Sequence, residues 1–498
     1  MSLPRLTVIN GLFLPMADGP EAYSRAQLTA TGAINDWFIG WMTVGYDGRI
    51  LGIGPGTPEG YTAESADRGT WGEVVDAHES FVAPGFISAH SHIYTSGMRG
   101  LAHSDTLYPW VYQNGQALLE SDSQDIYWYT LHGALDFVNN GITSAYNFTH
   151  SRVSWLYDAA SGVNHAAKIH GVDYVGAQFQ GTAAANLRTV NSFRLDDEAF
   201  TENEMTAAFA QTLEASAAVN SDLRLGDSIM GAVQWSGSPR TAELEVKMMR
   251  QFNVTNQAHF VETAENIEFQ RTKFDWYDAA GALGQDFMFG HFVHPTEHMI
   301  NRVVHTGTGM VWQPTSNGRL GSGIADVPRL AELGINIGVG LDDQSCTDIS
   351  DPFQNMRIGM YTQRAKYSDA QVITPREMLR MHTLGSAEVL GVSATVGSLE
   401  PGKFADFVIV DPTTPDTGPI WDVYGTYVLA CGLRNLTHVY IGGRCESKAG
   451  ESTNILAQDA RPELHARMRK SAERNGMRLA HQLVENQETP ERGMLHTH

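Results

Sequence analysis

Two histidines stand one residue apart in the stretch Pro84-Gly85-Phe86-Ile87-Ser88-Ala89-His90-Ser91-His92. The run from Phe86 reads as a short strand opened by a Pro-Gly break. Side chains two apart on a strand leave the same face, so His90 and His92 project together near its C-terminal end. Two neutral imidazoles placed in this way form a metal grip. Three further stretches carry residues of the same chemistry: VTNQAHFVETAENIE with His259 and Glu262, FMFGHFVHPTEH with His291 and His294, and INIGVGLDDQSC with Asp342 and Asp343. His259 lies inside a strand-like run and is predicted to point inward as a ligand. Glu262, three residues on, cannot share that face on a straight strand. It is expected in the loop beyond, folded back over the site, where a carboxyl acts as an acid or base. The same spacing gives His294 a structural role. Asp342 and Asp343 point oppositely on a strand, so one carboxylate serves the site and the other is structural. Cys346 is close by, but no histidine is placed to activate it.

The elements that must position these residues follow from the pattern between them. Residues 5–80 alternate short β-like runs with turns. From residue 84 to about 345, strand-like runs (GITSAYNF, HGVDYVGAQF, RLGDSIMGAV, TGMVWQP among them) alternate with amphipathic helical stretches such as TAELEVKMMRQF. That alternation predicts parallel β/α units. Pro84 to Asp342 spans 258 residues, close to the ~250 of a (β/α)8 TIM-like barrel. In such a barrel the chemistry sits at the C-terminal strand ends, which is where the first, fifth, sixth and eighth strands place the residues above. After REMLRMHTLGSAEVLG, read as a helix, GSLEPGKFADFVIVD and LTHVYIGGRCESKAG return to the β-and-turn style of the N-terminus. The expected class is α/β: a composite β-sandwich from 1–80 and 396–450, a metal-dependent barrel over 81–395, and a helical tail over 451–498.

Composition narrows the function. Hydrophobic content of 42% and charged content of 18% fit a globular protein rather than a disordered one. No apolar run approaches the ~18 residues of a spanning helix, and the N-terminus has no convincing signal peptide. Three cysteines do not build a disulfide framework, so a reducing cytoplasm is the expected location. A net charge of −22 argues against nucleic acid and anionic membrane as partners. A small molecule is the expected partner, and a homo-oligomer the expected assembly.

Taken together, PGFISAHSH, SGMRGLAHSDTLYPWV, HFVETAENIE, GHFVH, QPTSNGRLGSGIADVPRL, GVGLDDQSC and GSLEPGKFADFVIVD resemble, in order and over nearly the whole chain, the amidohydrolase superfamily. The resemblance is to its branch of atrazine chlorohydrolase, S-adenosylhomocysteine deaminase and guanine deaminase. It implies that His90, His92, His259 and Asp342 hold one divalent ion. Zinc is expected from three histidines and one aspartate, with Fe, Co or Mn as alternatives. It also implies that His291 contacts the attacking water and substrate, and that Glu262 shuttles the proton, so that Glu262, His291 and Asp342 are the catalytic set. RLGDSIMGAVQWSG offers no lysine to bridge a second ion.

Departures from the family pattern set the expectation for substrate. Asp343 replaces the usual Gly after the metal Asp. NFTH, with Asn147 and His150, replaces a more usual Asp near the end of the second strand. Both changes are expected to border the pocket, with Tyr94, Trp110 and Trp312 as candidates for its apolar walls. The resulting expectation is hydrolysis of an amide-, urea- or carbamate-type C–N bond in a small organic molecule, as in the phenylurea and molinate hydrolases. The alternatives are an aminoheterocycle deaminase or dechlorinase, and an inactive binding homologue.

Overall fold

The structure is a computed structural model that describes residues 4–17, 27–28, 34–158, 163–477 and 479. Eight parallel strands form its centre: β1 Phe86–His92, β2 Ile142–Phe148, β3 Arg188–Phe193, β4 Arg224–Gly231, β5 Thr255–Phe260, β6 Phe287–His291, β7 Gly309–Trp312, and β8 in two pieces, Ile337–Val339 and Asp342–Asp343. The two pieces of β8 close the ring. Ile337–Val339 pairs with β7, and Asp342–Asp343 pairs with β1, placing Asp342 opposite Ser91 and Asp343 opposite His92. The (β/α)8 barrel is therefore complete at the edge that carries the first histidine pair.

One strand lies elsewhere than the sequence pattern predicts. HGVDYVGAQF is not the third strand; Val172–Ala184 is a helix, started at Gly171. Its buried Val175 and Phe179 are four apart, a spacing that a short apolar run shares with a strand. The third strand is Arg188–Phe193, six buried residues of which four are polar. Its polar groups are bonded rather than solvated. Arg188 donates from Nε to Asp406 Oδ2 at 2.6 Å, and Asn191 Nδ2 donates to Ser216 Oγ at 2.9 Å. Burial paired with hydrogen bonding hides the strand from a hydrophobicity reading.

The chain ends build a second unit. Strands Glu451–Ser452, Arg444–Lys448, Leu436–Ile441, Phe407–Val410, Phe81–Pro84, Leu6–Phe13, Phe38–Val44 and Ile50–Pro55 follow one another across a mixed sheet, with Glu73–Asp76 paired to Leu6–Phe13. The sheet folds back on itself: Ile50 donates to the Lys403 carbonyl at 2.9 Å and Arg49 bridges Phe404. This encloses Leu6, Val8, Phe13, Met42, Val82, Phe407 and Tyr440 as a core of its own. The Arg188–Asp406 pair, bidentate through Nη2 and Oδ1 at 3.0 Å, ties this unit to the lower end of β3. In the tail, helix Ala457–Arg474 packs on helices Leu107–Leu118 and Ser123–Asn139 through Arg467–Asp125 at 2.8 Å and Ser471–Ala117 at 2.6 Å. Tail residues 478 and 480–498 lie outside the described residues. No helix among the described residues is long and apolar enough to cross a membrane.

Candidate active site and metal centre

Four strand ends converge. His90 and His92 leave β1 on one face, as the period of two demands, and meet His259 at the end of β5. Nε2 of His259 lies 3.1 Å from Nε2 of His90 and 3.0 Å from Nε2 of His92. Oδ1 of Asp342 lies 3.3 Å from Nε2 of His90 and 3.7 Å from Nε2 of His92. A tetrahedral ion with ligand bonds of ~2.0–2.1 Å would hold its ligand atoms about 3.3 Å apart, so this set fits a divalent ion. The tautomers fit as well. Nδ1–H of His90 donates to Gln257 Oε1 at 2.5 Å, and Gln257 donates in turn to the Ala89 carbonyl at 3.0 Å. That leaves the Nε2 lone pair of His90 free to ligate. Ser316 Oγ donates to Asp342 Oδ2 at 2.5 Å, which fixes Oδ1 toward the histidines.

The backbone is bent to achieve this convergence. Val261, His291, Phe292 and Asp342 all take positive φ, between 45° and 66°. Each costs a non-glycine residue roughly 1–2 kcal/mol, and all four fall at strand ends around the cluster. The left-handed turn at Val261 brings Glu262 back over the site. Gly340 and Gly290 wrap the ring of His90 closely: a Cβ on Gly340 would lie 2.6 Å from His90 Cβ, and one on Gly290 2.7 Å from His90 Cε1.

Glu262 places Oε2 3.5 Å from Nε2 of His291, and Asp342 Oδ2 lies 3.8 Å from the same nitrogen. All three residues are buried. Burial, and then the charge of Asp342, pushes the Glu262 carboxyl well above its ordinary range, which favours its protonated form. Asp343 is raised by the same two causes, in the same order, and stands 3.7 Å from His92 Nε2. Burial depresses His92 and His291 to about 3, which keeps both rings neutral. His294 turns away to the Ser322 carbonyl at 2.6 Å. Cys346 lies 3.0 Å from Ser316 Oγ, and burial raises its thiol pKa.

Residues 81–445 match the amidohydrolase family. The chain belongs to the amidohydrolase family. This amidohydrolase is 24% identical over 454 residues to a 5-methylthioadenosine/S-adenosylhomocysteine deaminase of Symbiobacterium thermophilum, covering 89% of this chain and 93% of the relative. It is 27% identical over 395 residues to the enzyme of the same name from Pyrococcus furiosus, covering 77% and 87%. Among solved structures, it superposes on an adenosine deaminase from Xanthomonas campestris with bound zinc at a TM-score of 0.75, with 20% identity and coverage of 95% and 99%. It superposes on the zinc complex of atrazine chlorohydrolase from Arthrobacter aurescens at 0.74, with 15% identity and coverage of 93% and 100%. These superpositions concern the fold. Membership makes the protein a metal-dependent hydrolase.

A cavity of about 170 Å³ opens above the cluster of this amidohydrolase. Tyr94, Trp110, His150 and Asp343 line it. Two residues expected at its border do not. Asn147 lies on the outer face of β2: its neighbour Phe148 turns inward against His90, His92 and His259, with ring centroids 4.6–4.9 Å away. Its register partner Asn191 bonds to an outer helix. Trp312 is buried with its ring turned against Gly359 of helix Pro352–Tyr367. The walls instead include Trp155, from a hairpin (Val153–Asp158 with Val163–Ile169) inserted after β2, and Trp235, from the loop after β4. Nothing in the sequence distinguishes these tryptophans from packed ones. Gln257 was not singled out from the sequence, although its spacing carried the signal: two residues before His259, it shares that residue's face.

Proposed function

We propose that this amidohydrolase binds one zinc ion through His90, His92, His259 and Asp342 and hydrolyses an amide-, urea- or carbamate-type C–N bond in a small, flat, apolar molecule. The observation that carries the substrate class is the cavity. Its carboxylates, Glu262, Asp342 and Asp343, all stand at the metal end, and its other walls are mainly Trp110, Trp155, Trp235, Tyr94 and aliphatic side chains, with Arg194, Asn114, His150 and Ser151 as polar groups among them. A ribose diol is commonly recognised by a carboxylate, and among the described residues the outer wall presents none. An arene fits such walls by area and by ring stacking.

A bound divalent ion supplies a Lewis acid that brings the pKa of water from 15.7 toward ~7. The residues of the chain do the rest. Asp342, held by Ser316, accepts the proton of the attacking water, and this proton returns to the nearby Glu262 once Glu262 has given its own to the leaving nitrogen. The Nε2–H of His291 donates to the substrate carbonyl oxygen as negative charge grows there. Water oxygen bonds to the carbonyl carbon and the C–N bond breaks. The leaving nitrogen needs a proton, and the buried Glu262 carboxyl carries one to give. The products are an amine and, from an amide, a urea or a carbamate respectively, a carboxylic acid, a carbamic acid or a carbonic monoester.

A second reading is supported by the names of the relatives: removal of a ring amino group or chloride from an aminoheterocycle by the same machinery. The test is a panel turned over by zinc-loaded enzyme: anilides, phenylureas, phenylcarbamates, 5′-methylthioadenosine, adenosine and a chlorotriazine. Arylamine release with kcat/KM at least tenfold above ammonia or chloride release is expected. The reverse order overturns this reading in favour of the second.

A further inference from the structure

Trp235 lines the cavity from the loop after β4. The carbonyls on either side of it, Gln234 and Ser236, both accept from Nζ of Lys273, each at 2.7 Å. Lys273 is fully buried, between helices Ile267–Thr272 and Phe274–Ala280. Among the described residues no carboxylate forms an ion pair with it. The rings of Phe269 and Trp276 face it at 4.6 and 5.7 Å. A buried ammonium without a carboxylate partner is costly, and a methionine would fill the same space without that cost. What lysine adds is a head with three donors, able to tie down two carbonyls that flank a single residue. A second tie runs from the same segment. Gln270 donates to the Tyr108 hydroxyl, and the Tyr108 ring meets the Trp235 indole edge-on at 6.0 Å.

We propose that Lys273 is a specificity-positioning residue, holding Trp235 through these two carbonyls as a fixed wall of the cavity against which a flat apolar group of the substrate is seated. The inference deepens the reading of the cavity given above and rests on it for the shape of the substrate. It assigns Lys273 no contact with the reacting atoms, so its loss should appear in binding and not in the chemical step.

The experiment is a double-mutant cycle of Lys273→Met and Trp235→Ala in the full-length, zinc-loaded enzyme, measured with whichever panel compound is turned over. Lys273→Met is expected to raise KM about tenfold while kcat and zinc content stay within about twofold. Adding Lys273→Met to Trp235→Ala should then change KM no further. Lys273→Gln, which keeps one donating amide, replaces the methionine variant if that does not fold, with a KM shift in the same direction. Additive KM effects, or a fall in kcat at unchanged KM, would overturn the proposal. If the panel favours an aminoheterocycle, the substrate reading fails while the coupling between Lys273 and Trp235 is still read in the same cycle.

Discussion

The side-chain amide of Asn317 lies 2.9 Å from Nδ1 of His291, and this contact decides which imidazole nitrogen presents a proton to the site. Nδ2 of Asn317 donates, so Nδ1 accepts and the neutral ring carries its hydrogen on Nε2. Glu262 and Asp342 stand on the Nε2 side, at 3.5 and 3.8 Å, and the ionised Asp342 favours the same tautomer. Asn317→Asp would set an acceptor against Nδ1 and turn the Nε2 lone pair toward the substrate. We expect kcat to fall by roughly 10²–10³, the scale of losing one oxyanion donor. Nitrogen-15 shifts of the His291 ring should report the exchanged tautomer. Unchanged shifts together with unchanged turnover would show that Asn317 does not set it.

The metal centre predicts a separation between ligand and non-ligand. His259→Ala removes the nitrogen that meets both His90 and His92, so metal content should drop well below one ion per chain and activity with it. Chelation of the wild type should do the same reversibly, with zinc restoring turnover. Since an ion binds the folded state, the loaded protein should also melt at higher temperature than the stripped one. Elemental analysis beside calorimetry checks both, and a His259→Ala variant with full metal content would remove it from the ligand set.

Glu262→Gln keeps size and hydrogen bonding but cannot pass a proton. Zinc content should stay near wild type while turnover falls by roughly 10²–10⁴. Joint loss of metal and activity would make Glu262 a ligand instead.

A buried carboxyl away from the site makes stability depend on pH. Glu245 accepts from the Ala232 N–H at 2.7 Å and from Asn256 Nδ2 and the Tyr277 hydroxyl, both at 2.9 Å. Burial nevertheless raises its pKa from 4.5 to about 7. The folded state therefore holds this proton more tightly than the unfolded chain. Its stabilising effect is complete below about pH 4.5 and is lost as pH rises through about 7. Glu245→Gln should remove that slope, so the stability difference between wild type and variant should change by roughly 3 kcal/mol from pH 4.5 to 7. Urea unfolding across that range measures it, and parallel pH profiles for the two proteins would refute it.

The site was legible where a local rule is enough. His90 and His92 share a face because a strand repeats every two residues. Gln257 and His259 share one for the same reason, and these relations hold whatever the rest of the chain does. The barrel was legible from the alternation of strands and helices, since each β/α unit buries its own apolar face. β3 was not, because a strand whose buried groups are Arg188, Thr189, Asn191 and Ser192 carries no hydrophobic signal until its partners, Asp406 and Ser216, are known. They come from segments more than 200 and about 25 residues away. The substrate walls were legible only in part. Trp155 and Trp235 join Tyr94 and Trp110 at the cavity, while Trp312 and Asn147 turn away from it. An aromatic residue near a strand end packs into the core or faces a ligand according to a turn of one residue in register and the path of a distant loop. The sequence by itself determined which groups could hold a metal and move a proton. Tertiary packing alone decided which side chains surround the space beside them, because that choice depends on contacts between segments far apart in the chain.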